Sequence, residues 1–150
     1  MEKDVTRNIA SFLSEKLIQN GYDIEFFQQK ESVNEVVEKE KRSNSSLFLS
    51  IHCNSANNPL ACGTEALYYP DSGTGKAVAE IISKKISEKF KLKNRGAKPK
   101  KEFRVLNGTN APAVLVELAF LSNLEEEKLL LNSAFVFANA IFEGIEEWMK

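Results

Sequence analysis

Residues 113–120 read "AVLVELAF", a run broken by a single charged residue. It is too short for a helix and rich in valine, which makes it a strand; without polar alternation, both of its faces are buried. The run "LFLSIHC", residues 47–53, has the same character. Strands of this kind need helices on both sides, and the chain supplies them. Val5, Ile9, Leu13 and Leu17, with Phe12 beside them, predict a helix that ends near Asn20-Gly21. The charged stretch "QKESVNEVVEKEKRSNSS" predicts a solvated helix around Val33, Val36 and Val37 that stops before Ser43. Val78, Ile82, Ile86 and Phe90, widened by Ile81, predict another. In "SNLEEEKLL", Asn123 as N-cap and Glu126 three residues later form a capping-box pattern. A last helix presents Phe137, Ile141, Ile145 and Trp148 to the core.

Between these helices, "YDIEFFQ", "TEALYY" and "EFRVLN" read as strands. "NSANNPLACG" reads as a loop, and so does the basic stretch "KLKNRGAKPKK". Alternating helices and strands, with the two most apolar strands central, describe a three-layer α/β/α domain. At 150 residues the chain forms one domain with one core. Apolar residues at 43% and charged residues at 27% are globular proportions and argue against disorder. A formal charge of −1, with acids and bases interspersed, implies no field that would recruit nucleic acid or an anionic membrane. No apolar run reaches the ~20 residues of a membrane span, and the first residues, "MEKDVTRNIA", do not have the pattern of a secretory signal. The two cysteines, Cys53 and Cys62, form neither a disulfide framework nor a zinc-ribbon spacing. Cys53 reads as a small buried strand residue, and Cys62 has no assigned role.

Ligands gather at the carboxyl ends of strands in such sheets, and both apolar runs carry an ionisable residue there: His52, the only histidine, and Glu117. Alternation puts His52 on the side of Phe48 and Ser50, opposite Leu49, Ile51 and Cys53, so Cys53 does not share a ligand sphere with His52. His52 reads either as a strand cap satisfied by a carbonyl or as a ligand. Glu117 either pairs with a cation or stays protonated, because an isolated buried carboxylate is costly. Its role is then structural hydrogen bonding or general base.

The blocks "LFLSIHCNS", "GTEALYY", "NRGAK" and "PAVLVELAFLSN", in this order and spacing, resemble the zinc-dependent N-acetylmuramoyl-L-alanine amidases of the type 3 family, which includes autolysins, spore-cortex enzymes and phage endolysins. "EKDVTRNIASFLSEKLIQNGYDI" resembles that family's first helix and second strand, so the likeness spans nearly the whole chain. The resemblance implies an α/β/α fold with a mixed, mostly parallel central sheet, of phosphorylase/hydrolase-like type. It also implies one Zn²⁺ held by two histidines and a glutamate, and hydrolysis of the amide between N-acetylmuramic acid and the L-alanine of peptidoglycan stem peptides. By resemblance, Glu2 and His52 are zinc ligands and Glu117 is the catalytic glutamate. The family's preceding strand and its histidine in a "GHGG"-like turn have no counterpart here, since the sequence starts at Met1. The expectation is therefore an N-terminally truncated amidase domain with its first strand missing and an incomplete metal site. A partner or a missing segment would complete the sheet. "QQK", residues 28–30, stands where the family has a threonine-arginine pair.

Asn54 is expected either to bind substrate or to shape its turn, and Glu65 either to line the groove or to pair with Arg95. Arg95, Lys98, Lys100 and Lys101 either meet stem-peptide carboxylates or form a solvated loop. The site of action implied is the cell wall, reached by secretion or phage release. Two other functions stay open: an amidase-fold remnant that binds wall or regulates a partner without cleaving, and a zinc peptidase of related architecture. The oligomeric state is not legible in the sequence.

Overall fold

The computed structural model of the protein describes residues 1–27 and 31–150. The expectation on Gln28 to Lys30 lies outside the described residues. Helix α1 (Glu2–Gln19) buries Val5, Ile9, Leu13 and Leu17, the stripe read from the sequence. Phe12, expected beside that stripe, is 39% exposed and meets Phe135 edge-on. Helix α2 (Val33–Arg42) starts on Ser32, whose side chain accepts the Glu35 N–H, and stops at Ser43. Strand β1 (Phe48–Asn54), strand β2 (Thr64–Tyr68), helix α3 (Gly73–Phe90) and strand β3 (Asn94–Pro99) follow. The one-turn helix α4 (Arg104–Asn107), strand β4 (Ala113–Phe120), helix α5 (Leu124–Asn132) and helix α6 (Ala134–Met149) complete the order.

The strands form one mixed sheet in the order β1-β4-β2-β3. β1 is parallel to β4 and β2 is parallel to β3, while β2 and β4 run antiparallel. Helices α1, α3 and α6 cover one face around Ile9, Ile82, Val116, Phe137 and Ile141, all with essentially no exposed surface. The other face carries a smaller cluster of Leu67, Leu106, Ala113 and Leu115, with Phe48, Tyr69 and Val105 against it. Helix α4 packs on β4 and α2 packs on α4. No single helix among the described residues is long and apolar enough to cross a membrane.

Four expectations need correction. β4 is central, as expected, but β1 lies at the edge of the four-stranded sheet, and its residues are mostly half-buried where those of β4 are buried. "YDIEFFQ" is not a strand over its described residues. A strand exists through its ladder of hydrogen bonds, and among the described residues nothing pairs with the outer edge of β1. "KLKNRGAKPKK" is not all loop: Asn94–Pro99 within it is β3, paired with β2. β3 is an edge strand, where charged side chains and a proline are tolerated, so it lacks the apolar alternation that announces a strand. "EFRVLN" is no strand either, because Arg104–Asn107 forms α4 and tucks Leu106 into the smaller cluster. Periodicity does not separate helix from strand over so few residues.

Helix α3 begins on Ser72, whose hydroxyl accepts the Gly75 N–H at 2.9 Å. Ser72→Ala leaves that N–H without its cap and should lower stability by about 1 kcal/mol. Urea denaturation should show the loss as a lower midpoint with an unchanged slope.

Candidate active site

The cross-strand register brings His52 of β1 beside Glu117 of β4, and Glu117 beside Glu65 of β2. Paired positions project to the same face of a sheet, so His52, Glu117 and Glu65 form one row. It is the face of Phe48, Leu115 and Leu67, which together pack into the smaller apolar cluster. One face is thus divided, with an apolar part under α4 and a polar part at the carboxyl ends of β1 and β4.

Glu2 reaches this polar end from the first turn of α1. Its Oε2 accepts the Cys53 N–H at 3.0 Å and stands 3.5 Å from His52 Nδ1. On the far side of the ring, His52 Nε2 is 2.8 Å from Ser50 Oγ. Ser50 and His52 share a face because they are two residues apart on a strand, a consequence of the alternation already present in "SIH". The side chains of His52 and Glu2 are 42% and 45% exposed, so the gap between them is open to a ligand.

A tetrahedral zinc ion with bonds of about 2.0–2.1 Å to nitrogen and oxygen holds two donor atoms about 3.4 Å apart. The 3.5 Å between His52 Nδ1 and Glu2 Oε2 fits one edge of such a tetrahedron. No group of three His, Cys, Asp or Glu side chains placed to hold a metal occurs among the described residues. The pair thus fits zinc as two of its donors.

Glu117 behaves differently from the other two carboxylates. Its Oε2 is buried and finds no hydrogen-bond partner among the described residues. Burial, followed by the nearby charges of Glu2 and Glu65, pushes its carboxyl up to about 7. A carboxyl poised there exchanges protons near neutrality, which general acid–base chemistry requires. Cys53 is buried on the opposite face, and burial, with help from Glu2 and Glu117, pushes its thiol up to about 12. It is a packing residue without thiolate reactivity.

Asn54 and Glu65 come together: Asn54 Nδ2 donates to Glu65 Oε2 at 3.0 Å. A register shift after His52 separates Asn54 from the regular alternation of β1. Glu65 also accepts from Arg95 Nε at 2.9 Å and pairs with Lys98 Nζ at 3.4 Å, so the partner for Arg95 expected as one alternative is present. Arg95 and Lys98 lie on β3 and not in a solvated loop. Lys100 and Lys101 fall outside that strand.

One residue near the site has a role that its sequence pattern conceals. Asn123 caps α5 as expected, its Oδ1 accepting the Glu125 and Glu126 N–H groups. Glu126, however, does not complete a capping box with Asn123. The residue is 4% exposed, and its carboxylate accepts the Gly63 and Phe120 N–H groups, each at 2.8 Å. It joins the loop that enters β2 to the end of β4. An acidic residue in a first helical turn is ordinary, so only the long-range contact distinguishes this one.

The family model described as N-acetylmuramoyl-L-alanine amidase matches residues 1–147. A probable cell wall amidase, LytH, of Staphylococcus saprophyticus is 30% identical over 99% of this chain, and the match takes in 50% of that protein. The chain thus spans about half the length of the curated relatives it matches. Among solved structures, the N-acetylmuramoyl-L-alanine amidase AmiC2 of Nostoc punctiforme superimposes with a TM-score of 0.85 at 32% identity, covering 99% of this chain and 84% of that one. The N-acetylmuramoyl-L-alanine amidase of Clostridium difficile 630 gives 0.88 at 27% identity, with 99% and 84% covered. With a family match along almost its whole length and the same fold in solved members, this chain belongs to the N-acetylmuramoyl-L-alanine amidase family.

Proposed function

We propose that this protein hydrolyses the amide between the lactyl group of N-acetylmuramic acid and the first L-alanine of the peptidoglycan stem peptide, acting at the cell wall. The observation that carries this reading is the row formed by His52 and Glu117 with Glu2 closing on His52 Nδ1 at 3.5 Å. Family membership supplies the class of bond.

In this reading, Glu2 and His52 would hold a zinc ion as two of its donors. When bound, zinc supplies Lewis-acid polarisation of the scissile carbonyl and acidifies water. Ser50 holds the Nε2 side of the imidazole, leaving Nδ1 directed at Glu2. Glu117 removes a proton from the attacking water while the water oxygen bonds to the carbonyl carbon. It then delivers that proton to the alanine nitrogen as the carbon–nitrogen bond breaks. The products are a muramic acid carboxylate and a peptide with a free amino terminus. The face that bears Glu117 is lined elsewhere by Leu67, Leu115 and Phe48, and burial, with the charges of Glu2 and Glu65, keeps the proton affinity of Glu117 high.

The test is hydrolysis of purified cell wall with and without a chelator. Release of peptides with a new N-terminal alanine, abolished by chelation and restored by zinc, is the expected outcome. New amino termini from internal peptide bonds would point to a peptidase instead. That only two metal donors converge among the described residues favours one second reading, a wall-binding protein without turnover. Metal-replete protein that sediments with cell wall and releases nothing would establish it in place of the first.

A further inference from the structure

We infer that Arg95 and Lys98, organised by Glu65, form a carboxylate-binding subsite beside Glu117 that receives an anionic group on the peptide side of the substrate. The inference rests on the amidase reading above for the identity of the substrate.

Several features of the molecule converge on holding Arg95 in one pose. Its Nε donates to Glu65 Oε2 at 2.9 Å and its Nη1 to the Cys62 carbonyl at 3.3 Å, while the guanidinium lies 5.1 Å from the centre of the Phe120 ring. Its aliphatic stem passes over Gly63, whose φ is 108°. A Cβ at that position would stand 2.6 Å from the Lys93 carbonyl oxygen and 3.0 Å from Arg95 Cγ, so the path of the arginine requires glycine. Gly63 is in turn fixed through its N–H by Glu126. An arginine immobilised this way offers its remaining donors without further ordering cost, as planar recognition of a carboxylate requires.

Lys98 supplies the second cation. It pairs with Leu67 in the register between β3 and β2, on the face of Glu117 and Glu65. Its side chain is 40% exposed, and its ammonium lies 3.4 Å from Glu65 Oε1. That exceeds the 2.7–2.9 Å of a strong charge-assisted hydrogen bond, so the ammonium keeps donors for another anion. Gly96, between the two cations and opposite Glu65, has φ of 83° and open space where a side chain would start. Two positive charges meet one carboxylate here, and Asn54 adds a neutral donor to the same oxygen as Arg95. Over Arg95, Lys98 and Glu65 the balance is one positive charge, set beside Glu117, whose burial favours its neutral form. Peptidoglycan stem peptides carry carboxylates where the glycan's hydroxyls are neutral, so the peptide is the part with the matching charge. Glu65, 9% exposed at its side chain and fully engaged by these three donors, orients the cations and does not itself meet substrate.

The experiment compares two synthetic ligands, an N-acetylmuramoyl peptide beginning with L-alanine and the same molecule with its carboxylates converted to primary amides. Binding is measured by calorimetry in a Glu117→Gln background, in which turnover is slow enough for the ligands to stay intact during the titration. The free acid should bind about tenfold tighter than the amide, the worth of one charge-assisted hydrogen bond. Lys98→Gln should reduce that preference to about threefold or less, and Lys98→Arg should keep it. A Lys98→Gln variant that weakens both ligands equally, or neither, overturns the subsite, as does affinity blind to the carboxylates in the Glu117→Gln protein that keeps Lys98. Thermal melts check that the variants fold, and Lys98 is exposed enough to be replaced without strain. A carboxylate preference that depends on Lys98, in a protein that never cleaves wall, would sustain the subsite and remove the amidase reading. Wall cleavage with equal affinity for both ligands would do the reverse.

Discussion

Glu117→Gln should lower hydrolysis of cell wall by about 10²- to 10⁴-fold, the range over which a positioned general base contributes, while the protein keeps its fold. Gln preserves the shape at a position flanked by Val116 and Leu118, both fully buried, but it can neither accept a proton from water nor return one to the leaving nitrogen. A folding readout separates this from general damage. The carboxyl of Glu117 is raised from 4.5 to about 7 because burial disfavours its charge. The folded protein therefore holds this proton more tightly than the unfolded chain does. Stability from this group is fully present below pH 4.5 and is lost as pH rises through about 7. Discounted for the solvent that reaches a half-buried site, the loss amounts to about 2 kcal/mol. In metal-free protein, urea denaturation at pH 5 and pH 8 should show the wild type losing that much more than Glu117→Gln. Hydrolysis that survives the substitution within a factor of a few would end the assignment of Glu117 as the base, whatever the stability curves show.

The positions of Glu117 and His52 were legible because each is the ionisable residue in the carboxyl-terminal half of a largely apolar strand, and burial makes such an exception expensive unless it is used. That the two meet follows from the parallel pairing of those strands, whose carboxyl ends lie side by side. Glu2 was different. Nothing in the apolar period of α1 singles it out, and only the resemblance of its surrounding block to a known family pointed to it. The side chain then meets the Cys53 N–H and His52 across fifty residues of chain. β3 was missed because an edge strand rich in Lys and Arg carries no hydrophobic signal, and with it went the chance to see that Arg95 and Lys98 stand on a fixed scaffold. The segment "YDIEFFQ" reads as a strand on composition that is sound for one. Pairing is a property of the neighbour as much as of the segment, and one sequence window does not contain its neighbour. For the same reason, β1 could be recognised as a strand but not as an edge.

Glu126→Ala should cost about 3–5 kcal/mol, a large share of the 5–15 kcal/mol by which a domain is stable. The carboxylate is buried and accepts two backbone N–H groups, from Gly63 and from Phe120, each at 2.8 Å. A hydrogen bond to a charged group contributes roughly 1.5–3 kcal/mol, and alanine would leave both donors buried without an acceptor, beside a cavity the size of the lost side chain. Glu126→Gln distinguishes hydrogen bonding from simple filling of space. It has nearly the same volume but turns an NH₂ group towards one of the two N–H donors, so it should lose about half as much as alanine does. Were the side chain only a filler, glutamine would match the wild type. The measurement is the denaturation midpoint of the three proteins at pH 7, at constant slope. Because Gly63 lies directly under the Arg95 stem, the same loosening should also reduce the discrimination between acid and amide ligands in Glu126→Gln. Retained discrimination in a destabilised Glu126→Gln protein would mean that Glu65 and Phe120 hold Arg95 without help from the loop.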